Sequence, residues 1–224
     1  MNLHLTEIAY ILDRSGSMQP MQEPAIAAFN DFVKSQLDVP GDARLTLIQF
    51  DDAYEVPIPA CPIQDVPQLT AATYIPRGST ALLDAIGRTI QETDRRIQAL
   101  PESSRPGKVI LAIFTDGQEN ASHQYTTPHI SDLIRLYRDQ KNWDFLFLAA
   151  NQDAIATAAS LRMDISLSGT VDFTPRGMKT TGSAMARKIR SIRMKASGQM
   201  DAQAQADDTK TLEEIVQEEE KKPQ

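Results

Sequence analysis

Short apolar runs alternate along the chain with longer segments in which apolar residues recur every three or four positions. The runs are typical of buried strands, and the longer segments are typical of helices with one buried face. The predicted strands are Glu7–Asp13, Leu45–Phe50, Lys108–Thr115 and Trp143–Ala149. The predicted helices are Met21–Leu37, Ala81–Leu100, Thr127–Lys141 and Asp153–Leu161. The third predicted strand, Lys108–Thr115, contains an unbroken run of β-branched, aromatic and other apolar residues, which favours a central strand buried on both faces.

Two further strands complete the predicted sheet. Tyr54–Ile58 follows Leu45–Phe50 after a link too short for a crossover, so this pair is predicted to be antiparallel. Asp164–Leu167 is predicted to be the last edge strand. The pattern as a whole predicts an α/β fold, with a doubly wound, mostly parallel central sheet, one antiparallel edge strand and helices on both faces.

The chain divides by composition into a domain, residues 1–196, and an acidic tail, residues 197–224. The tail holds eight acidic and three basic residues and no aromatic residue, so we expect it to be disordered or a loosely held helix. The domain ends in a basic helix over about 174–196. That helix either binds an acidic partner or nucleic acid, or is a surface helix partly neutralised by the tail.

Composition narrows the function classes. The net charge of −7 argues against general nucleic-acid binding, which depends on basic surface. No apolar run approaches the length of a membrane span, and no signal peptide is evident. The single cysteine, Cys61, excludes an intrachain disulfide and favours a reducing compartment. We therefore expect a soluble, cytoplasmic protein.

Oxygen-bearing side chains follow the predicted strands where their carboxyl ends should meet, the usual ligand edge of such sheets. Asp13, Ser15 and Ser17 follow the first strand, Thr80 precedes a helix, and Asp116 ends the strand KVILAIFT. Two carboxylates and three hydroxyls suit a hard divalent cation. No His or Cys is among these five residues, which argues against zinc. Taken one at a time, Ser17 and Thr80 could be helix caps and Asp116 a turn residue.

Taken together, these motifs resemble the von Willebrand factor A domain with a metal-ion-dependent adhesion site. "DRSGS", the threonine of "RGSTALLDAI" and "FTDGQEN" occur in the family's order and separation, and the resemblance covers about Leu5 to Leu167. It implies a Rossmann-like fold of the stand-alone intracellular bacterial or phage type. It also implies a binding module rather than an enzyme, with Mg²⁺, or Mn²⁺ or Ca²⁺, at the site.

The resemblance also implies roles for the site residues. Ser15, Ser17 and Thr80 would be direct ligands, with Asp13 and Asp116 acting mostly through water. The cation would accept an Asp or Glu from a partner protein, as in an adaptor or assembly factor.

Three nearby features carry further expectations. Glu119 and Asn120, in the third loop, either shape the partner-binding rim or belong to a solvated turn. Asp84 either holds a hydrogen bond behind the site or favours its helix N-terminus electrostatically. The acidic run Glu218–Glu220 could enter the metal site of another copy and so cause self-association or autoinhibition.

Two alternatives compete with the binding module. The first is a magnesium-dependent phosphotransferase in which Asp13 attacks phosphate. That chemistry calls for a second acid two residues on, where the chain has Ser15. The second is a structural scaffold that binds partners without metal, which would leave the complete set of oxygen donors unexplained.

Overall fold

Six strands form one sheet in the part of the chain described by the structure, a computed structural model covering residues 1–116, 119–149, 153–170 and 172–222. The strands are β1 (Asn2–Asp13), β2 (Asp42–Phe50), β3 (Tyr54–Pro62), β4 (Pro106–Thr115), β5 (Trp143–Ala149) and β6 (Ser168–Thr170). Their order across the sheet is β3-β2-β1-β4-β5-β6, and only the β2–β3 pair is antiparallel. This topology confirms the predicted fold class.

Helices cover both faces of the sheet. They are α1 (Gln22–Leu37), α2 (Leu82–Gln98), α3 (Thr127–Lys141), α4 (Asp153–Ser160), α5 (Pro175–Ala196), α6 (Ala202–Thr209) and α7 (Leu212–Glu220). On β1, Ile8, Tyr10 and Leu12 join the apolar layer of α1, α5 and α7, whereas Ala9 and Ile11 join the layer of α2, α3 and α4. This alternation is the two-residue period of a strand buried on both faces. Among the described helices, none is both long and apolar enough to cross a membrane.

The last edge strand differs from the prediction. Residues Ile165–Leu167 form a 3-10 turn, and β6 begins only at Ser168. The cause is local, because Asp164 Oδ1 accepts hydrogen bonds from the Ser166 backbone N–H at 2.9 Å and from its hydroxyl at 2.7 Å. Such side-chain turns compete with strand pairing.

The acidic tail is helical over residues 202–209 and 212–220, so of the two expectations for it, disorder or a loosely held helix, the structure agrees with the helical one. Leu212, Ile215 and Val216 are at most 1% exposed and lie in the layer of α1 and α5. Their spacing gives α7 one apolar face, and Thr211 with Glu214 forms a capping box at its start. The acidic composition concealed this short amphipathic pattern.

Acidic side chains of the tail neutralise α5, as the second interpretation of the basic helix expected. Arg187 pairs with Asp207, Glu218 and Glu219, which lie on both tail helices. Further pairs join Arg190 to Asp201 and Lys195 to Asp208. Because Glu218 and Glu219 are engaged within the chain, the predicted insertion of Glu218–Glu220 into another copy would first have to break these pairs.

Candidate metal centre

The three loops predicted to form the site meet at the carboxyl edge of the sheet. β1 and β4 are parallel neighbours, with Leu12 opposite Phe114, so Asp13 and Asp116 follow adjacent strands. The Ser17 hydroxyl donates a hydrogen bond to Asp116 Oδ1 at 3.1 Å, which joins the first loop to the third.

Asp13 is fully buried, and neutral groups donate hydrogen bonds to it. Its Oδ1 accepts from the Ser15 backbone N–H at 2.7 Å, and its Oδ2 accepts from the Thr115 hydroxyl at 2.6 Å. Its backbone carbonyl accepts from the Tyr74 hydroxyl at 2.6 Å. In the described part of the chain, the Asp13 carboxylate forms no ion pair with a cationic side chain. Burial raises the pKa of Asp13 to about 6, and the negative charge of Asp116 adds to this shift.

The two serine hydroxyls of the first loop lie close together beside Asp116. Ser15 Oγ and Ser17 Oγ lie 3.1 Å apart, and Ser15 is buried whereas Ser17 is exposed. Asp116, which accepts the hydrogen bond from Ser17, is half-buried, and burial raises the pKa of its carboxyl. Ser17 is not the cap of α1, whose N-cap is Met21, so the helix-cap alternative does not account for it.

The second loop joins both others. Thr80 is 3% exposed, and its backbone N–H donates to Asn120 Oδ1 at 2.9 Å, while Asn120 N–H donates to the Thr80 carbonyl at 3.1 Å. Gly16 N–H donates to the Gly78 carbonyl at 3.1 Å. Thr80 is not the N-cap of α2, which is Ala81. Each pair of loops is therefore linked directly.

Glu119 and Asn120 both accept hydrogen bonds from backbone N–H groups around Thr80 and the start of α2, and their role in a partner-binding rim stays a prediction. Glu119 Oε2 accepts from the Leu83 backbone N–H at 2.9 Å and from the Ser122 hydroxyl at 2.7 Å. The carboxylate thus satisfies an N–H group in the first turn of α2, a favourable place for negative charge. Asn120 is exposed, but its side chain is used to hold Thr80.

Asp84 holds the chain behind the site, as one interpretation of the sequence expected. Its carboxylate accepts from three consecutive backbone N–H groups, those of His123, Gln124 and Tyr125, at 2.9–3.0 Å. The contact anchors the chain leaving the third loop to the first turn of α2.

Sequence reasoning missed several supporting residues. Thr115 and Tyr74 hold Asp13, and Arg14 and Asp51 connect the first loop to β2. Thr115 has a recognisable signal, because it directly precedes Asp116 at the end of an apolar strand. Tyr74 and Asp51 have none, since they lie far from Asp13 in sequence.

The donor chemistry of these residues fits a hard divalent cation. All five predicted side chains offer oxygen, and Mg²⁺, Mn²⁺ and Ca²⁺ prefer such ligands. Within the described residues, no three His, Cys, Asp or Glu side chains cluster so as to hold a metal. The candidate centre differs from such clusters because three of its five predicted donors are hydroxyls.

The fold is that of von Willebrand factor A domains. In sequence, the chain matches no family model and no curated protein. In structure, it is similar to a von Willebrand factor type A protein from Catenulispora acidiphila at a TM-score of 0.54 and 17% identity, covering 86% of this chain and 42% of that one.

Two further solved structures share the fold and were determined with metal. Mussel byssus proximal thread matrix protein 1, described with a zinc-occupied MIDAS motif, matches at a TM-score of 0.58 and 15% identity over 82% of this chain. The match covers 47% of the mussel protein, so this chain spans about half of its length. Manganese-loaded Plasmodium vivax TRAP protein matches at a TM-score of 0.52 and 16% identity, covering 77% of this chain and 70% of that one.

Proposed function

We propose that the chain is a divalent-cation-dependent protein-interaction module, acting as an adaptor or assembly factor. The observation that carries this proposal is the Asp13 carboxylate, which is fully buried and has no cationic side chain as partner in the described part of the chain. A buried carboxylate is costly unless a positive charge or hydrogen bonds compensate it. The hydrogen bonds from Ser15 and Thr115 offset only part of that cost, because burial still raises the pKa of Asp13 to about 6. The carboxylate lies where three loops bring further oxygen donors together.

Each side chain has a proposed role. Ser15, Ser17 and Thr80 would hold the cation directly, and Asp13 and Asp116 mostly through water. With few anionic side chains in direct contact, a bound Mg²⁺ would supply an open coordination position for the Asp or Glu of a partner protein. Mn²⁺ and Ca²⁺ are the other candidates, and Zn²⁺ belongs in the test because the mussel protein's site is described with zinc.

The site favours binding over catalysis. The Asp13 carboxylate is fully buried, and each of its oxygens accepts a hydrogen bond, one from Ser15 and one from Thr115, which lowers its nucleophilicity. A phosphotransferase would also need an acid where the chain has Ser15. We therefore propose that the protein is not an enzyme; its cytoplasmic location stays a prediction from sequence.

Affinity purification with and without divalent metal tests the proposal. The wild-type chain should retain a partner in Mg²⁺ and release it in EDTA, and Thr80→Ala should fail to retain it. Thr89→Ala is the matched control, because Thr89 is also a buried threonine but bonds Tyr54 at 3.2 Å away from the site. Replacing the partner's contacting Asp or Glu by its amide should abolish binding. Retention of the same partner in EDTA and by Thr80→Ala would overturn the proposal.

A further inference from the structure

Two arginines next to the candidate metal centre share one buried carboxylate. Arg14 stands in sequence between Asp13 and Ser15, and Arg77 lies in the second loop, just before Gly78. Arg14 Nε lies 3.1 Å and Arg77 Nε 2.8 Å from the same oxygen, Oδ2 of Asp51.

Glu55 completes a four-membered ion-pair cluster. Its Oε1 lies 2.8 Å from Nη2 of Arg14 and 2.8 Å from Nη2 of Arg77. Two guanidinium groups therefore face two carboxylates. The side chains of Arg14 and Asp51 are 5% and 0% exposed, whereas those of Arg77 and Glu55 are 55% and 50% exposed. The buried guanidinium of Arg14 is therefore compensated by both carboxylates, and of the two only the Asp51 carboxylate is shielded from water.

Asp51 also fixes the backbone that carries Thr80. Its carbonyl accepts a hydrogen bond at 2.9 Å from the N–H of Ala81, the residue after Thr80. The second loop lies directly against this turn at Gly78, where φ is +66° and an added Cβ would lie 2.0 Å from Asp52 Oδ1. Asp51 and Asp52 thus form the surface on which the second loop rests.

We propose that Asp51 is a positioning residue of the metal centre, an inference that rests on the proposed function. Its carboxylate would neutralise the guanidinium groups that adjoin the first and second loops, so that a divalent cation can bind beside them. Its backbone would keep Thr80 in place. Without the carboxylate, the cluster would carry one uncompensated positive charge next to the site and oppose the cation.

Isothermal titration with MgCl₂ and MnCl₂ tests this role on the full chain. Asp51→Asn keeps the side-chain shape and removes the charge, and we expect it to lower metal affinity about tenfold or more, as for other residues that support metal ligands. Glu7→Gln is the matched control. Glu7 is a fully buried β1 carboxylate paired with Arg96 at 2.6 Å, and its replacement should leave metal affinity within about twofold of wild type.

A second arm separates charge from a general loss of structure. Arg77→Gln alone should not weaken metal binding. In Asp51→Asn/Arg77→Gln the charges of the cluster balance again, so affinity should return to within about threefold of wild type. A merely structural role for Asp51 would predict further loss, because the double variant removes more contacts. An unrescued double variant, or wild-type affinity in Asp51→Asn, would overturn the inference.

The outcomes also distinguish this inference from the proposed function. If the wild-type chain binds neither metal, the proposed function fails; if it binds and Asp51→Asn binds equally, only the role of Asp51 fails. Should Asp51→Asn not fold, Glu55→Gln takes its place, since it removes one negative charge from the exposed side of the cluster. A measurable loss of affinity at low salt would support the inference, and no change would overturn it.

Discussion

At the scale of single residues, the environment of Asp13 explains most of the site. The carboxylate is buried, its pKa is raised to about 6 by that burial, and its hydrogen bonds come from Thr115 and the Ser15 backbone. None of these groups carries a positive charge. The chain therefore keeps an acid in a place where a cation, rather than a side chain, would stabilise its charge.

Tyr74→Phe should destabilise the fold, because it removes a hydrogen bond to Asp13. The Tyr74 hydroxyl, in a fully buried side chain, donates to the Asp13 carbonyl at 2.6 Å, and its removal leaves that carbonyl without this donor. We expect a loss of about 1–3 kcal/mol in the free energy of unfolding, measured by urea denaturation. Tyr10→Phe is the control, because Tyr10 is also buried but its hydroxyl makes no hydrogen bond among the described residues. Equal losses in the two variants would contradict this account.

Glu55 should contribute pH-dependent stability. The hydrogen bond from Arg14 lowers the pKa of Glu55 from 4.5 to about 2. A lowered pKa means that the folded state favours the ionised form, so the contribution is present above the unfolded-state pKa and is lost as the pH falls toward 2. Glu55→Gln should therefore melt below wild type at pH 7, and the two melting temperatures should converge between about pH 4.5 and 2.

The matched control for this pH prediction is a carboxylate in an ordinary surface pair. Glu92 pairs with Arg88 on α2, with side chains 37% and 49% exposed. Glu92→Gln should change the melting temperature at pH 7 less than Glu55→Gln does, since Glu92 pairs with an exposed arginine and such pairs contribute about 0–1 kcal/mol, whereas Glu55 pairs with the buried Arg14. A Glu55→Gln difference that stays constant from pH 7 to pH 2 would show that the carboxylate charge is not responsible.

At the scale of elements, the spacing of apolar residues was sufficient to predict the long strands and helices. Trp143–Ala149 and Thr127–Lys141 have the predicted bounds, and the antiparallel β2–β3 pair follows from its short link. The same spacing did not predict the last edge strand, where a side-chain hydrogen bond decides the local structure, or the tail helix, where acidic residues dominate the composition. Asp164 turned the expected last strand into a 3-10 turn, and the many acids of the tail hid the apolar face of α7.

Arg187 should be the main attachment of the tail to α5. It pairs with Asp207, which is 1% exposed, and with Glu218 and Glu219 at 2.8 Å each. Arg187→Gln leaves Asp207 buried without its arginine, and we expect a loss of about 3 kcal/mol in the free energy of unfolding. The measurement is urea denaturation, with limited proteolysis to show whether cleavage appears within residues 197–222.

Lys195→Gln is the control for Arg187. The Lys195 side chain is 64% exposed and, among the described residues, pairs only with Asp208, at 2.9 Å, so its loss should cost at most about 1 kcal/mol. Equal losses in the two variants, with no new cleavage in Arg187→Gln, would mean that the tail is held by its apolar face alone.

At the scale of the whole molecule, the sheet topology brings the candidate site together. Parallel pairing of β1 with β2 and β4 places the ends of these strands side by side, and this consequence of strand order was predictable from the sequence. The support behind the site was not. Asp51 contacts Arg14 and Arg77 only because the loops fold across the end of β2, and no local sequence pattern predicts these contacts.

The most direct test of the central claim is the melting temperature as a function of Mg²⁺ and Mn²⁺ concentration. A ligand that binds only the folded state at about 100 times its Kd adds about 2.7 kcal/mol. For a chain of 224 residues, this corresponds to a rise of about 5–10 °C. Ser17→Ala should abolish the rise, while Ser79→Ala, another exposed serine beside the site, should retain it. No rise in the wild-type chain, or an equal rise in Ser17→Ala, would contradict a cation site at these three loops.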